Sequence, residues 1–473
     1  MRTSTARAAR LAVCAVCALV TPLALVSAQR RGPIEPPKGR EVFVAPAGLR
    51  TGDGSRERPY DLATVLANGG PARPGDVVWM RGGTYAGTFL STVSGTSDLP
   101  ITFRGYPGER AIVDGRTAPS TNILTVRGQW VVYRDFEVTN SNPSRELPDL
   151  LSVRGTGVDV FGANTTFRNL VVHDAGTGFG VWVEAVNAEL SGNLIFNNGW
   201  EAPDRGHGHG IYAQNRDGVK HFVDNVVFNQ FSHGIHIYGS SNASLDNFDI
   251  DGNIAFGNGA ASRSGYTRNI LVGGEGLMSH LTLVANLTFF PAAPAAENNV
   301  GYNGGCRDVS ITKNQFVGTR PLTLGSCRDA VVQGNTFAGD VQKSLRDTYP
   351  DNDFEASAPQ SVRVFTRPDR REAGSGWIVV YNGARASAAT VSLDAFRPIQ
   401  GARYDIADVQ DPFAPPVLSI RHDGRPIVLP LAPHGPAQPI GSSLPLVSTV
   451  PEFAVFRVRP ELSVPRANAG VMP

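Results

Sequence analysis

An asparagine that returns ahead of a short, mostly apolar triplet constrains this chain more than any other feature. It stands at Asn169 (LVV), Asn193 (LIF), Asn225 (VVF), Asn253 (IAF), Asn286 (LTF), Asn314 (QFV) and Asn335 (TFA), at intervals of 24, 32, 28, 33, 28 and 21 residues. A period of that size belongs to a solenoid, in which one coil buries its apolar side only by stacking on the next and surplus residues go into loops. A chain of 473 residues is too long for one ordinary core unless it grows by such repetition. Asn suits a repeated bend because it tolerates left-handed backbone, bonds local backbone, and stacks amide on amide between coils. All seven are read as a structural ladder.

After each triplet comes a variable loop and then a second apolar strand, at Val181 (VWV), Ile211 (IYA), Ile235 (IHI), Ile270 (ILV), Val300 (VGY) and Leu322 (LTL). Strand side chains alternate between faces, so the middle residue of each points outward. The expected outward column is Trp182, Tyr212, His236, Leu271, Gly301 and Thr323. A second column is Glu184, Gln214, Tyr238 and Gly273, and Phe179, His209, His233, Arg268 and Asn298 align at the loop exits.

Upstream, a strand opens at Glu41, and residues 61–68 have the apolar spacing of one short amphipathic helix, read as a cap. PGDVVWMRGGTYAG (74–87) and PITFRGYPGERAIVDG (100–115) are short apolar strands divided by Gly and Pro turns. This pair resembles the opening turns of the pectate-lyase-like superfamily of right-handed parallel β-helices, in the style of the alginate lyase and chondroitinase B type. The resemblance covers roughly residues 41–340. It implies an all-β fold, a right-handed parallel β-helix over 41–346, on which lyases, hydrolases, epimerases and binding proteins are all built. There is no adjacent Asp pair of the polygalacturonase kind. Nor is there an Arg-His-Gly triplet, which counts against the Lys/Arg and calcium mechanism of the alginate lyase type.

The two ends read differently. Arg2, Arg7 and Arg10 precede an apolar run closing on Val26-Ser27-Ala28, the pattern of an export signal over 1–28, so a secreted or periplasmic protein is expected, free of the membrane after cleavage. Its loss leaves 40 basic against 42 acidic side chains, a net charge of −2. A chain so near neutrality has no field to hold nucleic acid, and a monomer is expected. Residues 29–40 are a Pro-rich spacer. Cys306 and Cys327 begin CRDVSITKNQF and CRDAVVQGNTF, offset by the same 21 residues as their asparagines. Neighbouring coils lie about 4.8 Å apart, which suits a disulfide; a stacked pair of free thiols is the alternative. Residues 347–360 lose the repeat and read as a linker. Residues 361–462 read as a small antiparallel β-sandwich, resembling the C-terminal accessory modules of carbohydrate-active enzymes, with a disordered tail over 463–473.

The chemistry gathers in residues 206–240, where HGIYAQ at His209 returns 24 residues later as HGIHIY at His233. A stack of parallel strands gives a long face suited to a polymer, so a polysaccharide is the expected partner. Trp182 and Tyr238 stack on sugar rings there, with Glu184, Gln214, Glu201 and Asp204 as polar contacts. β-Elimination on a uronic acid needs a neutralised carboxylate, a lost C5 proton and a protonated leaving oxygen. Arg268 fits the first role, His236 or His233 the second and Tyr212 the third, with His209 beside them. The same groups permit C5 epimerisation. His207, His209 and His233 could instead converge on a divalent metal, zinc or calcium, or the histidines could merely bond backbone in a repeated turn. Hydrolysis would require two flanking carboxylates, for which Glu184, Glu201 and Asp204 are candidates. A non-catalytic glycan-binding surface protein is the remaining class.

Overall fold

The structure is a computed structural model and describes residues 39–265, 267–290 and 298–461. The export signal and the C-terminal tail lie outside the described residues. Each coil adds one strand to each of three parallel sheets of 11, 11 and 9 strands. In one coil, Thr166–Arg168 lies in the first sheet, Val171–His173 in the second and Phe179–Val181 in the third. The all-β parallel helix read from the repeat is the fold observed. Its interior is filled by one or two apolar residues per strand, here Phe167, Val172 and both Phe179 and Val181, all fully buried. The cap helix spans Leu62–Leu66; Asp61 accepts from the backbone N–H of Thr64 at 2.8 Å, and Leu62, Val65 and Leu66 are buried. Among the described residues no helix is long and apolar enough to cross a membrane.

The amide ladder runs between the first and second sheets. Nδ2 of Asn193 donates to Oδ1 of Asn225 at 2.8 Å, and the pattern continues through Asn253, Asn286, Asn314 and Asn335. Two positions differ from the sequence reading. Asn169 is not a rung: the register aligns Leu170 with Asn193, and Asn169 occupies the preceding left-handed position at φ 53°. That site is Gly192, Asp224, Gly252, Ala285, Lys313 and Gly334 in later coils, all with positive φ. Left-handed geometry thus belongs to the residue before each ladder asparagine. The second difference is at the other end, where Asn335 donates to Asn352 at 2.8 Å and strand Asp353–Glu355 pairs with Thr336–Ala338. The stretch read as a linker therefore contains a last coil, missed because its triplet, DFE, is polar.

Beyond it, five antiparallel strands (Val362–Pro368, Gly376–Asn382, Phe453–Pro460, Arg403–Asp408 and Leu418–Arg421) form the C-terminal sheet, with a small pair, Ala388–Val391 and Ile427–Pro430. This part packs on the outer face of the second sheet. Leu194, Phe196, Phe228, Phe256 and Phe289 share one buried cluster with Trp377, Val379, Tyr381, Phe453 and Val455. Phe289 stacks on Phe453 at 4.7 Å. Each such ring buried contributes about 1.5–3 kcal/mol, so this seam is held chiefly by apolar surface. Trp377 Nε1 also donates to the Asp224 carbonyl at 2.9 Å, and Arg371 pairs with Glu189 at 2.5 Å. The described residues form one compact unit without division. Cys306 and Cys327, adjacent in the first sheet with Cα atoms 4.3 Å apart, are joined by a disulfide.

Candidate active site in the groove of the third sheet

The third sheet is left uncovered by the C-terminal strands and carries the histidine cluster. Its register pairs Gly180 with Tyr212, Tyr212 with His236, His236 with Leu271, and Leu271 with Asn299. The outward column is therefore Asp159, Gly180, Tyr212, His236, Leu271, Asn299 and Thr323. Trp182 and Gly301, expected in it, are displaced. The strand at Trp182 is Phe179–Val181, because Phe179 fills the core, and Trp182 falls beside Gln214 and Tyr238. Asn298 likewise pairs with Ile270 and not with Arg268, and Thr177 takes the place expected for Phe179 beside His209.

His209, His233 and Arg268 share the loop-exit position, each two residues before its strand. The glycine after each histidine is a packing requirement. A Cβ at Gly210 would lie 2.3 Å from Val227 Cγ1, and one at Gly234 would lie 2.5 Å from the Asn269 carbonyl oxygen. Strand register brings the three rings together: His209 stacks on His233 at 5.4 Å, and His236 stands edge-on to both at 4.3 and 4.6 Å. Nδ1 of His236 and Nε2 of His209 are 3.1 Å apart. Tyr212 lies edge-on to His236 at 5.4 Å, and Tyr238 stacks on His236 at 5.0 Å.

Burial dominates the electrostatics. Desolvation, with the neighbouring histidines and Arg205 adding to it, holds His209 and His236 far below the ordinary imidazole range, Arg268 contributing at His236, and burial with Arg268 takes His233 down to about 3. All three rings are neutral at physiological pH. Burial also raises the Tyr212 phenol, opposed by Gln214, whose Nε2 donates to its oxygen at 3.4 Å. Arg268 lies over the Tyr302 ring at 5.5 Å, and among the described residues no carboxylate pairs with it.

The acids chosen from sequence are not brought together. Glu184 is exposed in the turn after Trp182. Glu201 is buried in a short hairpin, where it accepts from the Arg263 backbone at 3.2 Å. Asp204 is exposed on that hairpin and bonds His207 Nε2 at 2.8 Å. His207 stacks on Trp200 at 5.4 Å and does not join His209 and His233. Among the described residues no group of three His, Cys, Asp or Glu is placed to hold a metal ion. The sequence reading missed Asp159, whose carboxylate accepts from Trp182 Nε1 and Asn122 Nδ2, both at 2.7 Å, and which burial raises. The signal was present in VDV, an acid between two core valines, but that coil lacks a ladder asparagine. Arg205, near enough to depress all three histidines, was also missed.

Among solved structures the chain is similar to the pectate lyase Pel9A, at 17% identity and TM-score 0.45 over 70% of this chain and 86% of that one. It is also similar to a rhamnogalacturonan lyase, at 16% identity and TM-score 0.42 over 63% and 73%. Among curated proteins it is similar to the uncharacterized protein YwoF of Bacillus subtilis (strain 168), 32% identical over 87 residues, and it spans 18% of that relative's length. Residues 42–278, half of the chain, match the family described as Pel9A-like, right handed beta helix region. The chain belongs to that Pel9A-like β-helix family.

Proposed function

We propose that this is an exported polysaccharide lyase that binds a uronate-containing glycan along the third sheet and cleaves it by β-elimination. One observation carries the reading: Arg268, with no carboxylate partner among the described residues, stands beside three mutually packed, neutral histidines and a tyrosine on successive rungs of the third sheet. Arg268 faces the uronate carboxylate, which lowers the cost of the charge that builds on it as the C5 proton leaves. The aromatic side chains Trp182, Tyr212 and Tyr238 give the sugar rings stacking surfaces.

Strongly desolvated imidazoles accept protons poorly, so proton transfer passes in this reading from His236 and His233 to Tyr212. Tyr212 first loses its phenolic proton to solvent hydroxide and, as phenolate, takes the C5 proton; the C5–H electron pair becomes the C4=C5 double bond, the C4–O bond breaks, and the phenol gives that proton to the leaving oxygen, which restores the phenolate. Incubation with a panel of acidic and neutral polysaccharides tests the reading. Ultraviolet absorbance from unsaturated ends is expected with a uronate polymer. New reducing ends without that absorbance would mean hydrolysis, and no new ends with any polymer would leave a binding protein.

A further inference from the structure

We propose that two hydrogen bonds inside the protein fix the tautomers of His233 and His236, making both rings neutral N–H donors that clamp a sugar carboxylate together with Arg268. The proposal rests on the acidic-glycan reading and deepens it by assigning the recognition of the acid group.

The first bond is unambiguous in direction. The backbone N–H of Arg268 donates to Nδ1 of His233 at 3.3 Å. A nitrogen that accepts must offer its lone pair, so the neutral His233 ring carries its proton on Nε2. The second bond joins His209 Nε2 and His236 Nδ1 at 3.1 Å, and either ring could donate. The other nitrogen of His209 decides it. His209 Nδ1 is buried with no hydrogen-bond partner among the described residues. A buried N–H without an acceptor is rarer and costlier than a buried lone pair without a donor. His209 therefore keeps the lone pair on Nδ1, carries its proton on Nε2 and donates it to His236. His236, accepting at Nδ1, is then also protonated at Nε2.

Neither Nε2 atom bonds another group among the described residues, and the two rings lie 4.6 Å apart at 72°. The remaining nitrogens of these two rings are thus both neutral N–H donors, and Arg268, on the next rung, adds the guanidinium. One permanent positive charge with two neutral donors matches the single charge and paired oxygens of a carboxylate. In this arrangement His209 is a positioning residue, acting through the tautomer of His236.

Long-range proton–nitrogen correlation spectra of the isotope-labelled full chain separate the two imidazole tautomers. Expected near neutral pH are Nε2-protonated His233 and His236, with both N–H resonances moved by glucuronate and not by glucose. His209→Leu should mix the tautomers of His236 and weaken glucuronate binding about tenfold, and His209→Gln, whose amide can donate to His236 Nδ1, should restore both. The wild-type spectrum decides the tautomers even if the leucine variant does not fold. An Nδ1-protonated His233 or His236, or resonances that ignore glucuronate, would overturn the clamp. Unsaturated product from an enzyme with the wrong tautomers would sink the clamp alone; an intact clamp without product would uphold it and sink the elimination.

Discussion

The carboxylate of Asp159 accepts the indole N–H of Trp182 at 2.7 Å, across the glycine at position 180 of the groove column. A Cβ at Gly180 would lie 2.9 Å from Asp159 Oδ1, so glycine there lets the carboxylate reach the indole. Asp159→Ala strips partners from both Trp182 and Asn122. It is expected to cost about 1–3 kcal/mol, measured as a lower denaturation midpoint, and to weaken glycan binding by freeing the Trp182 ring. Unchanged binding would remove Trp182 from the groove.

Tyr212→Phe deletes one oxygen and keeps the ring that packs against His236. Turnover is expected to fall by about a hundredfold or more, with little change in the affinity for an uncleaved oligosaccharide. Burial holds the phenol above its ordinary value of 10.0, so below that pH only a small fraction is phenolate. The wild-type rate should climb about tenfold per pH unit on the alkaline side of neutrality. A rate flat across neutral and alkaline pH would instead point to an imidazole acceptor.

The same histidines set the response to acid. His233, at about 3, has a folded value below its unfolded one of 6.5, so the folded state binds fewer protons between those limits. Its contribution to stability is complete above pH 6.5 and is lost as pH falls toward 3, at up to about 1.4 kcal/mol per pH unit. His236 and His209 shift the same way. Thermal melts across this range should show a shallower acid limb in His233→Gln than in the parent; an identical limb would place the acid sensitivity elsewhere.

Rungs of the amide ladder differ in what their loss leaves behind. Asn253 is fully buried and bonds Asn225, Asn286 and the Phe222 carbonyl. Asn253→Leu should cost about 3 kcal/mol or more, because several buried groups lose partners at once. Asn352, at the partly buried end of the ladder, should cost about 1 kcal/mol on the same change. Chemical denaturation of the two variants gives the comparison.

Removal of residues 361–473 would bare Leu194, Phe196, Phe228, Phe256 and Phe289 together. An exposed apolar strip of that size marks an aggregation surface, so the shortened chain is expected in the insoluble fraction. A soluble, monomeric β-helix would show that the seam with the C-terminal sheet is dispensable.

The sequence by itself determined the coil. Spaced asparagines and inward aliphatic residues leave a solenoid as the arrangement that buries one and pairs the other, and both are local properties of each repeat. It also held a signal that was legible and went unread: LIF, VVF and IAF are apolar at every position, as strands covered on both faces are, and the C-terminal sheet covers them. Tertiary structure decided the rest. Which residue of FGVWV joins the third sheet depends on how far each loop carries the chain, and two residues of difference move Trp182 from one column to the next. Loop length shows in the sequence, but the path of a loop does not. The meeting of His209 with His236, and of Asp159 with Trp182, residues 27 and 23 apart in sequence, follows from strand pairing between neighbouring coils, where side-chain direction is fixed by the neighbouring coil and not by the residues next in sequence.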